Sequence, residues 1–242
     1  MISKAIIKDI QNLAHKESRT EQRLFLAEGN KWAEELLAQA PQQIRGIYAL
    51  KHWMDAHATQ VTGLPVQEVD AVMMSRLSQR KTPTEVLIVV KQFSRSPEPA
   101  REGIHLVLST IQDPGNLGTI IRTADWFGVR QVVCSHDCAD QYNPKVVQAT
   151  MSSLIRVPVV YASLPEWLAQ QSHIRKWAAV LHGADYTKAR GDGILMMGNE
   201  SKGLSEELLA LATDTITIPR IGMAESLNVS VASGILLSQL TR

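Results

Sequence analysis

Ile104-His105-Leu106-Val107-Leu108-Ser109-Thr110-Ile111 runs straight into Asp113-Pro114-Gly115-Asn116-Leu117-Gly118-Thr119-Ile120-Ile121-Arg122. The first run is almost continuously apolar, which suits a strand buried on both faces of a sheet rather than one with a wet side. The second changes to helical spacing, with a helix expected over 116–127. The same alternation continues to the C-terminus. Strands are expected at 131–134, 157–161, 177–181, 194–197 and 215–218, and helices at 145–153, 164–171, 205–212 and 228–240. Two-sided apolar strands alternating with helices predict a parallel sheet covered on both faces, an α/β/α domain. In such sheets ligands bind beyond the carboxyl ends of the strands, so the loops there should carry the chemistry.

Upstream, Ser94-Arg95-Ser96-Pro97-Glu98-Pro99-Ala100-Arg101-Glu102-Gly103 is a polar segment with two prolines between apolar runs, and it reads as a linker. It divides the chain into a first domain over 1–95, a linker over 96–102 and a second domain over 103–242. The first domain reads as helix 2–14, strand 24–27, helix 31–39, strand 44–50, a short helix near 52–58, helix 71–78 and strand 85–93. That pattern is a small α/β layer domain.

Composition removes several classes. With 45% hydrophobic and 20% charged residues in 242, the chain can bury a core and is not disordered. No apolar stretch approaches the ~20 residues of a membrane span. The first residues, Met1 to Asp9, are broken by charges and lack a signal core, so a cytoplasmic protein is expected. Cys134 and Cys138 are the only cysteines, which excludes a disulfide framework. His136 between them makes a Cys-x-His-x-Cys string, but structural zinc takes four ligands from two separated pairs, so no metal is expected. The net charge of +1 gives no global attraction to a polyanion. Basic residues do cluster locally, at Lys16, Arg19 and Arg23 and at Arg76, Arg80 and Lys81.

Three strand-to-helix loops of the second domain are rich in glycine and polar residues: 113–122, 198–205 and 218–230. None has the Gly-x-Gly-x-x-Gly or Gly-x-x-x-x-Gly-Lys-Ser/Thr spacing, so ordinary dinucleotide and P-loop readings drop out. Taken singly, a glycine here can serve a turn and a serine can cap a helix. Together the loops place Asn116, Arg122, Glu200, Ser226 and Asn228 at or near the starts of otherwise apolar helices. Arg122, flanked by Ile120, Ile121 and Ala124, would be costly to bury unpaired and is expected to meet an anion, either Glu200 or a phosphate.

At these residues the chain resembles the SpoU-type RNA 2′-O-ribose methyltransferases of the SPOUT superfamily. Three motifs occur in order: Asn116 to Arg122, Gly198-Asn199-Glu200 to Leu204, and Ser226-Leu227-Asn228-Val229-Ser230. The resemblance extends upstream through Phe25-Leu26-Ala27-Glu28-Gly29 and Leu77 to Leu87 with its Thr82-Pro83. It implies a C-terminal domain with a deep trefoil knot, preceded by a small L30e-like RNA-binding domain. It also implies S-adenosylmethionine as cofactor and a homodimer with the active site near its interface. By position, Gly198, Asn199, Ile218 and Leu227 match the cofactor-binding residues, and Asn116, Arg122, Glu200, Ser226 and Asn228 match the catalytic cluster. Ser201 stands where glycine is common, and Arg220 where an apolar residue is usual.

A ribose 2′-hydroxyl is a poor nucleophile until deprotonated, so the protein must align it with the methyl donor and help remove one proton. Arg122 has two candidate roles. One is the base assigned to it by the resemblance; the other is a clamp on the substrate phosphate, oriented by Glu200, since a guanidinium stays protonated in proteins. Arg19, Arg23 and Lys31 are the expected RNA contacts. The absence of an extension beyond Arg242 favours ribosomal over transfer RNA as substrate. The competing readings are a tRNA 2′-O-methyltransferase and a non-catalytic RNA-binding homologue in ribosome assembly.

Overall fold

β1 (Leu24–Glu28) and β4 (Val86–Lys91) pair antiparallel in register from Leu24 with Lys91 to Glu28 with Leu87, and this pair anchors the first half of the chain. The computed structural model describes residues 2–242. Around that pair lie α1 (Lys4–Asn12), α2 (Lys16–Gln22), α3 (Asn30–Gln39), β2 (Ile44–Ala49), α4 (Lys51–Ala56), β3 (Val66–Glu68) and α5 (Ala71–Leu77). The four strands form a sheet of order β1-β4-β2-β3. β4 is central and its Val86 to Val90 are all buried, as the unbroken apolar run Val86-Leu87-Ile88-Val89-Val90 requires.

The chain separates into two compact units. One comprises 1–94 together with 142–155; the other comprises 95–141 and 156–242. The second contains β5 (Ile104–Leu108), α6 (Pro114–Trp126) and β6 (Val132–Cys134). The chain then gives α7 (Pro144–Thr150) to the first unit and returns to the second with β7 (Val159–Tyr161), α8 (Leu164–Ala169), β8 (Lys176–Asp185), β9 (Gly193–Met197), α9 (Glu206–Ala210), β10 (Asp214–Thr217) and α10 (Val229–Leu240).

The placement of 142–155 corrects the expected boundary, which kept all of 103–242 together. The reason is apolar. Tyr142 stacks on Phe25 with ring centroids 4.8 Å apart, Phe25 also meets Trp32 edge-on at 5.9 Å, and Trp32 Nε1 donates to the Val147 carbonyl at 3.2 Å. Val146 and Val147 are buried with them. Two short elements, α2 and β3, carry no periodic apolar signal and were not expected; β8 runs four residues further than its expected end at Leu181.

The second unit's sheet is wholly parallel, with order β10-β8-β9-β5-β6-β7. After β5 the chain moves to one side through β6 and β7, then crosses to the other side for β8, β9 and β10. The strand order therefore reverses between β5 and β9, and the crevice beyond their carboxyl ends is where such a sheet binds ligands. Its helices start as their sequences require. Asp113 caps α6 by accepting from Asn116 N at 2.8 Å, with Pro114 filling a first-turn position that needs no N–H, and Ser205 caps α9.

At the opposite end of this sheet a buried polar network replaces apolar packing. The His105 ring lies among Gln131, whose Nε2 is 3.2 Å from Nδ1, and the backbone of Arg101. Burial, helped by the nearby Arg130 charge and opposed by Arg101 and Asp192, holds the imidazole below its ordinary 6.5, so the folded state prefers it neutral. A base depressed on folding stabilises the protein above pH 6.5 and loses that contribution as the pH falls through its folded value. Melting temperature should therefore drop as the pH falls below 6.5 in the wild type and more shallowly in His105→Gln. Parallel curves would remove His105 as the cause.

Candidate active site

The loops after β5 and β9 and the entry to α10 meet at one carboxylate. Glu200 Oε1 accepts from Asn116 Nδ2 at 2.7 Å, from Asn228 Nδ2 at 3.2 Å and from Val229 N at 3.3 Å. Asn228 Nδ2 also reaches Asn116 Oδ1 at 2.9 Å. Each partner is placed by helix-start chemistry. Asn116 sits in the first turn of α6, while Asn228 is the cap of α10, its Oδ1 accepting from Ser230 N at 2.9 Å. Three of the five expected catalytic residues, from three motifs, thus share one hydrogen-bonded cluster.

The other two lie outside it. Ser226 is exposed and makes no hydrogen bond among the described residues. Arg122 is also exposed rather than buried, and of the two anions expected for it, Glu200 or a phosphate, Glu200 is not its partner; among the described residues its side chain has neither an ion pair nor a hydrogen bond. Six residues along a helix turn the side chain about 240° from Asn116, so the two cannot share a face.

The loop after β9 is shaped by close approach. Gly198 lies so near Gly203 and Leu204 that a Cβ built on it would overlap their backbone. Asn199 spends its side chain on the loop: Nδ2 donates to the Thr110 carbonyl at 3.0 Å, and Oδ1 accepts from Ser201 N at 2.8 Å and Lys202 N at 3.3 Å. Asn199 therefore fastens this loop to the end of β5. Ile218 and Leu227 border a different kind of segment. From 218 to 227 no N–H makes a backbone hydrogen bond among the described residues, and Leu227 is 45% exposed. A cleft of about 190 Å³ opens among Gln112, Asp113, Asn116, Asn199, Glu200 and Val229.

Thr110, which sequence reasoning missed, is a β-branched residue held at φ 59°, and its hydroxyl donates to Asp137 at 2.9 Å. That carboxylate is held below its usual range first by the Ser135 hydroxyl and then by Thr110. Nothing in the Thr110 side chain announces a left-handed backbone. The helix expected from Asn116 starts two residues earlier, at Pro114, because Asp113 caps it.

The expected RNA contacts separate. Arg19 is only 2% exposed, its guanidinium donating to the Leu13 and Ala14 carbonyls at 2.9 and 2.8 Å, so it clamps the turn between α1 and α2 instead of offering charge to solvent. Arg23 is exposed, in the left-handed region at the end of α2. Lys31 is exposed in the first turn of α3 and pairs with Glu35.

Among the described residues no group of three or more His, Cys, Asp or Glu is arranged to hold a metal ion, and no helix is long and apolar enough to cross a membrane.

Residues 103–238 match the model of the SpoU rRNA Methylase family, and residues 4–88 match an MRM3-like substrate binding domain. The chain is 31% identical to the 23S rRNA (guanosine(2553)-2′-O)-methyltransferase RlmP of Bacillus subtilis, covering 97% of this chain and 95% of that one. It is 28% identical to the 23S rRNA (guanosine-2′-O-)-methyltransferase RlmB of Photorhabdus laumondii, over 86% and 93% of the two chains. Among solved structures, an AdoMet-bound rRNA methyltransferase from Sinorhizobium meliloti superposes with a TM-score of 0.88 at 32% identity, covering 99% and 95%.

Two outcomes test the geometry. Gly198→Ala should push the 199–204 loop off β5, lowering both the melting temperature and cofactor affinity in calorimetry; wild-type values for both would contradict the close approach. Asn228→Ala removes a cap and should cost about 1 kcal/mol in denaturant unfolding. Asn228→Ser keeps a capping oxygen but loses the donor to Glu200, so it should recover most of the stability and none of the activity.

Proposed function

The chain belongs to the SpoU rRNA methylase family, and on that footing we propose that it transfers a methyl group from S-adenosylmethionine to a ribose 2′-hydroxyl of ribosomal RNA. The observation that carries this reading is the Glu200 cluster, which joins all three motifs at the switch point of the parallel sheet. The residues around it fit the cofactor. Unpaired backbone N–H groups from 218 to 227, the half-exposed Leu227 and the glycine-pinched loop after β9 offer the backbone groups and apolar cover that an adenosine needs, with Gly198, Ile218 and Leu227 holding it and Asn199 shaping the loop. The cofactor supplies a methyl already activated by the sulfonium charge.

The protein's own task is to position the hydroxyl and balance charge as its proton leaves. Asn116 and Asn228 fix the Glu200 carboxylate through Oε1, which leaves Oε2 without a partner among the described residues and open to a donor from the substrate side. Arg122 acts as the phosphate clamp: an exposed, unpaired guanidinium supports that role, and its permanent charge argues against a base. Ser226, at the mouth of the last motif, contributes to the same substrate edge.

The protein works as a homodimer. A groove of about 610 Å³ runs along α10 past Tyr186, Val231, Ile235 and Gln239, and Val231 is 51% exposed within it, as an apolar surface awaiting a second copy would be. The reading also places the protein in the cytoplasm, where ribosomal RNA is made and modified.

The direct test is transfer of radiolabelled methyl to total RNA from cells lacking this protein. Label should enter one ribosomal RNA as an alkali-resistant dinucleotide, and Asn116→Ala and Glu200→Ala should each lower the rate by about 10²–10³-fold. Label in tRNA would redirect the substrate. Cofactor binding without transfer to any RNA or precursor particle would leave an RNA-binding homologue. On the clamp role, Arg122→Ala slows single turnover by the same factor across the pH range, whereas a base role makes the loss track one ionisation. Val231→Glu should give a monomer by light scattering that binds RNA but does not methylate it.

A further inference from the structure

The turn after β6 bonds the bend after β5 at almost every step. Ser135 N and Cys138 Sγ donate to the Leu108 carbonyl at 2.9 and 3.3 Å. Thr110 N donates to Ser135 Oγ at 2.9 Å, Ile111 N to Cys138 Sγ at 3.2 Å, and Ala139 N returns a bond to the Ile111 carbonyl at 2.8 Å. Asp137 completes the mould by accepting from the Ser135 hydroxyl and, at 2.9 Å, from the Thr110 hydroxyl. The Thr110 carbonyl has a different partner: it accepts from Asn199 Nδ2 at 3.0 Å.

Thr110, at φ 59°, is the one β-branched residue with a positive φ among the described residues; the others are Arg23, Met151, Ser152 and glycines. That conformation crowds a branched Cβ and persists only where the surroundings over-determine it. A glycine makes such a bend without strain, as Gly203 does at φ 66° in the loop after β9. What a glycine lacks is the hydroxyl that reaches Asp137. By fixing that hydroxyl, the turn fixes the direction of the Thr110 carbonyl and so the seat of Asn199. Asn199 directly precedes Glu200, and Asp113, two residues beyond Ile111, caps α6 and sets Asn116. Both ends of the 2.7 Å bond between Asn116 and Glu200 therefore hang from this bend. The cleft beside it is lined by Ile111, Gln112 and Asp113 from one loop and by Asn199 and Glu200 from the other.

We propose that Asp137 and Thr110 are positioning residues for methyl transfer, holding the carbonyl that seats Asn199 and thereby setting Glu200 against Asn116. The inference rests on the methyltransferase reading above and adds to it two residues that lie outside the three motifs. They act through Asn199. A displacement of the Glu200 carboxylate by about 1 Å is enough to slow a step that depends on alignment by about 10²-fold. The fold also contains a reporter of where that carboxylate lies. The Val229 N–H, one of the first-turn donors that a helix leaves without an internal partner, is satisfied by Glu200 Oε1 at 3.3 Å.

Single-turnover methyl transfer to ribosomal RNA from cells lacking this protein is measured on the full-length chain at saturating S-adenosylmethionine, beside thermal melts and amide exchange at Val229 followed by NMR. Thr110→Gly trades strain for a lost hydroxyl bond, so its melting temperature should stay close to that of the wild type while its rate falls about ten- to a hundredfold and Val229 exchanges faster. Thr110→Ser keeps the hydroxyl and should restore both rate and exchange. Asp137→Ala should slow transfer by the same factor as Thr110→Gly. Combined with Asn199→Ala it should be no slower than Asn199→Ala alone, because the residues lie on one line of contacts. Losses that multiply in the double variant, a wild-type rate in Thr110→Gly, or rates that only track melting temperature each overturn the positioning role while leaving methyl transfer by the wild type intact. No transfer by the wild type sinks the methyltransferase reading, and Val229 exchange then decides alone. Unchanged exchange in Thr110→Gly removes the positioning role; faster exchange that Thr110→Ser restores upholds it.

Discussion

One oxygen of one carboxylate organises the second unit's working end. Glu200 Oε1 gathers an amide from α6, an amide from the cap of α10 and the first N–H of α10, groups 84, 28 and 29 residues away in sequence. Hydrogen bonds to an ionised acceptor are stronger than neutral ones, and three converging on a single atom lock the rotamers of both asparagines. The asparagines are themselves fixed by helix starts, so the cluster inherits the precision of the helices. Site geometry and fold stability are therefore the same set of contacts seen from two sides.

The sheet supplies the complementary constraint. Strand order reverses between β5 and β9, which leaves their carboxyl ends without a helix directly above them. Into that gap the chain places two loops that cannot relax independently, because Asn199 of one is bonded to Thr110 of the other. The pinch at Gly198 then leaves the loop after β9 a single path. The segment from 218 to 227 is the opposite case, open in its backbone bonds and half-wet in its apolar side chains. One pinned loop and one segment free of backbone bonds are a useful combination for a protein that must admit both a cofactor and an RNA.

Much of this was legible in the residues. Two-sided apolar strands such as 104–108 and 193–197 admit only a buried parallel sheet, and Ser205 and Asn228 announce helix starts by their capping chemistry. The cluster of Asn116, Glu200 and Asn228 was expected from three motifs. What sequence could not supply was orientation. Arg122 looked buried because its neighbours Ile120, Ile121 and Ala124 are, yet the helix turns it outward; Arg19 looked solvated because arginines usually are, yet its guanidinium closes a turn. Short elements such as β3 have no room for a periodic pattern, and a left-handed Thr110 leaves no trace in composition.

Because 142–155 completes the first unit from within the second half of the chain, that unit is discontinuous. Phe25 and Trp32, made early, find Tyr142 and Val147 only after more than a hundred further residues have been synthesised. On the ribosome, the early strands must wait with an aromatic face uncovered until this late segment emerges. A cut at the proline-rich linker, where the sequence invites one, would sever the substrate-binding half from part of its own core. The two halves are thus bound into one folding event, and modular exchange of the substrate-binding half between relatives would have to carry the distant helix along with it.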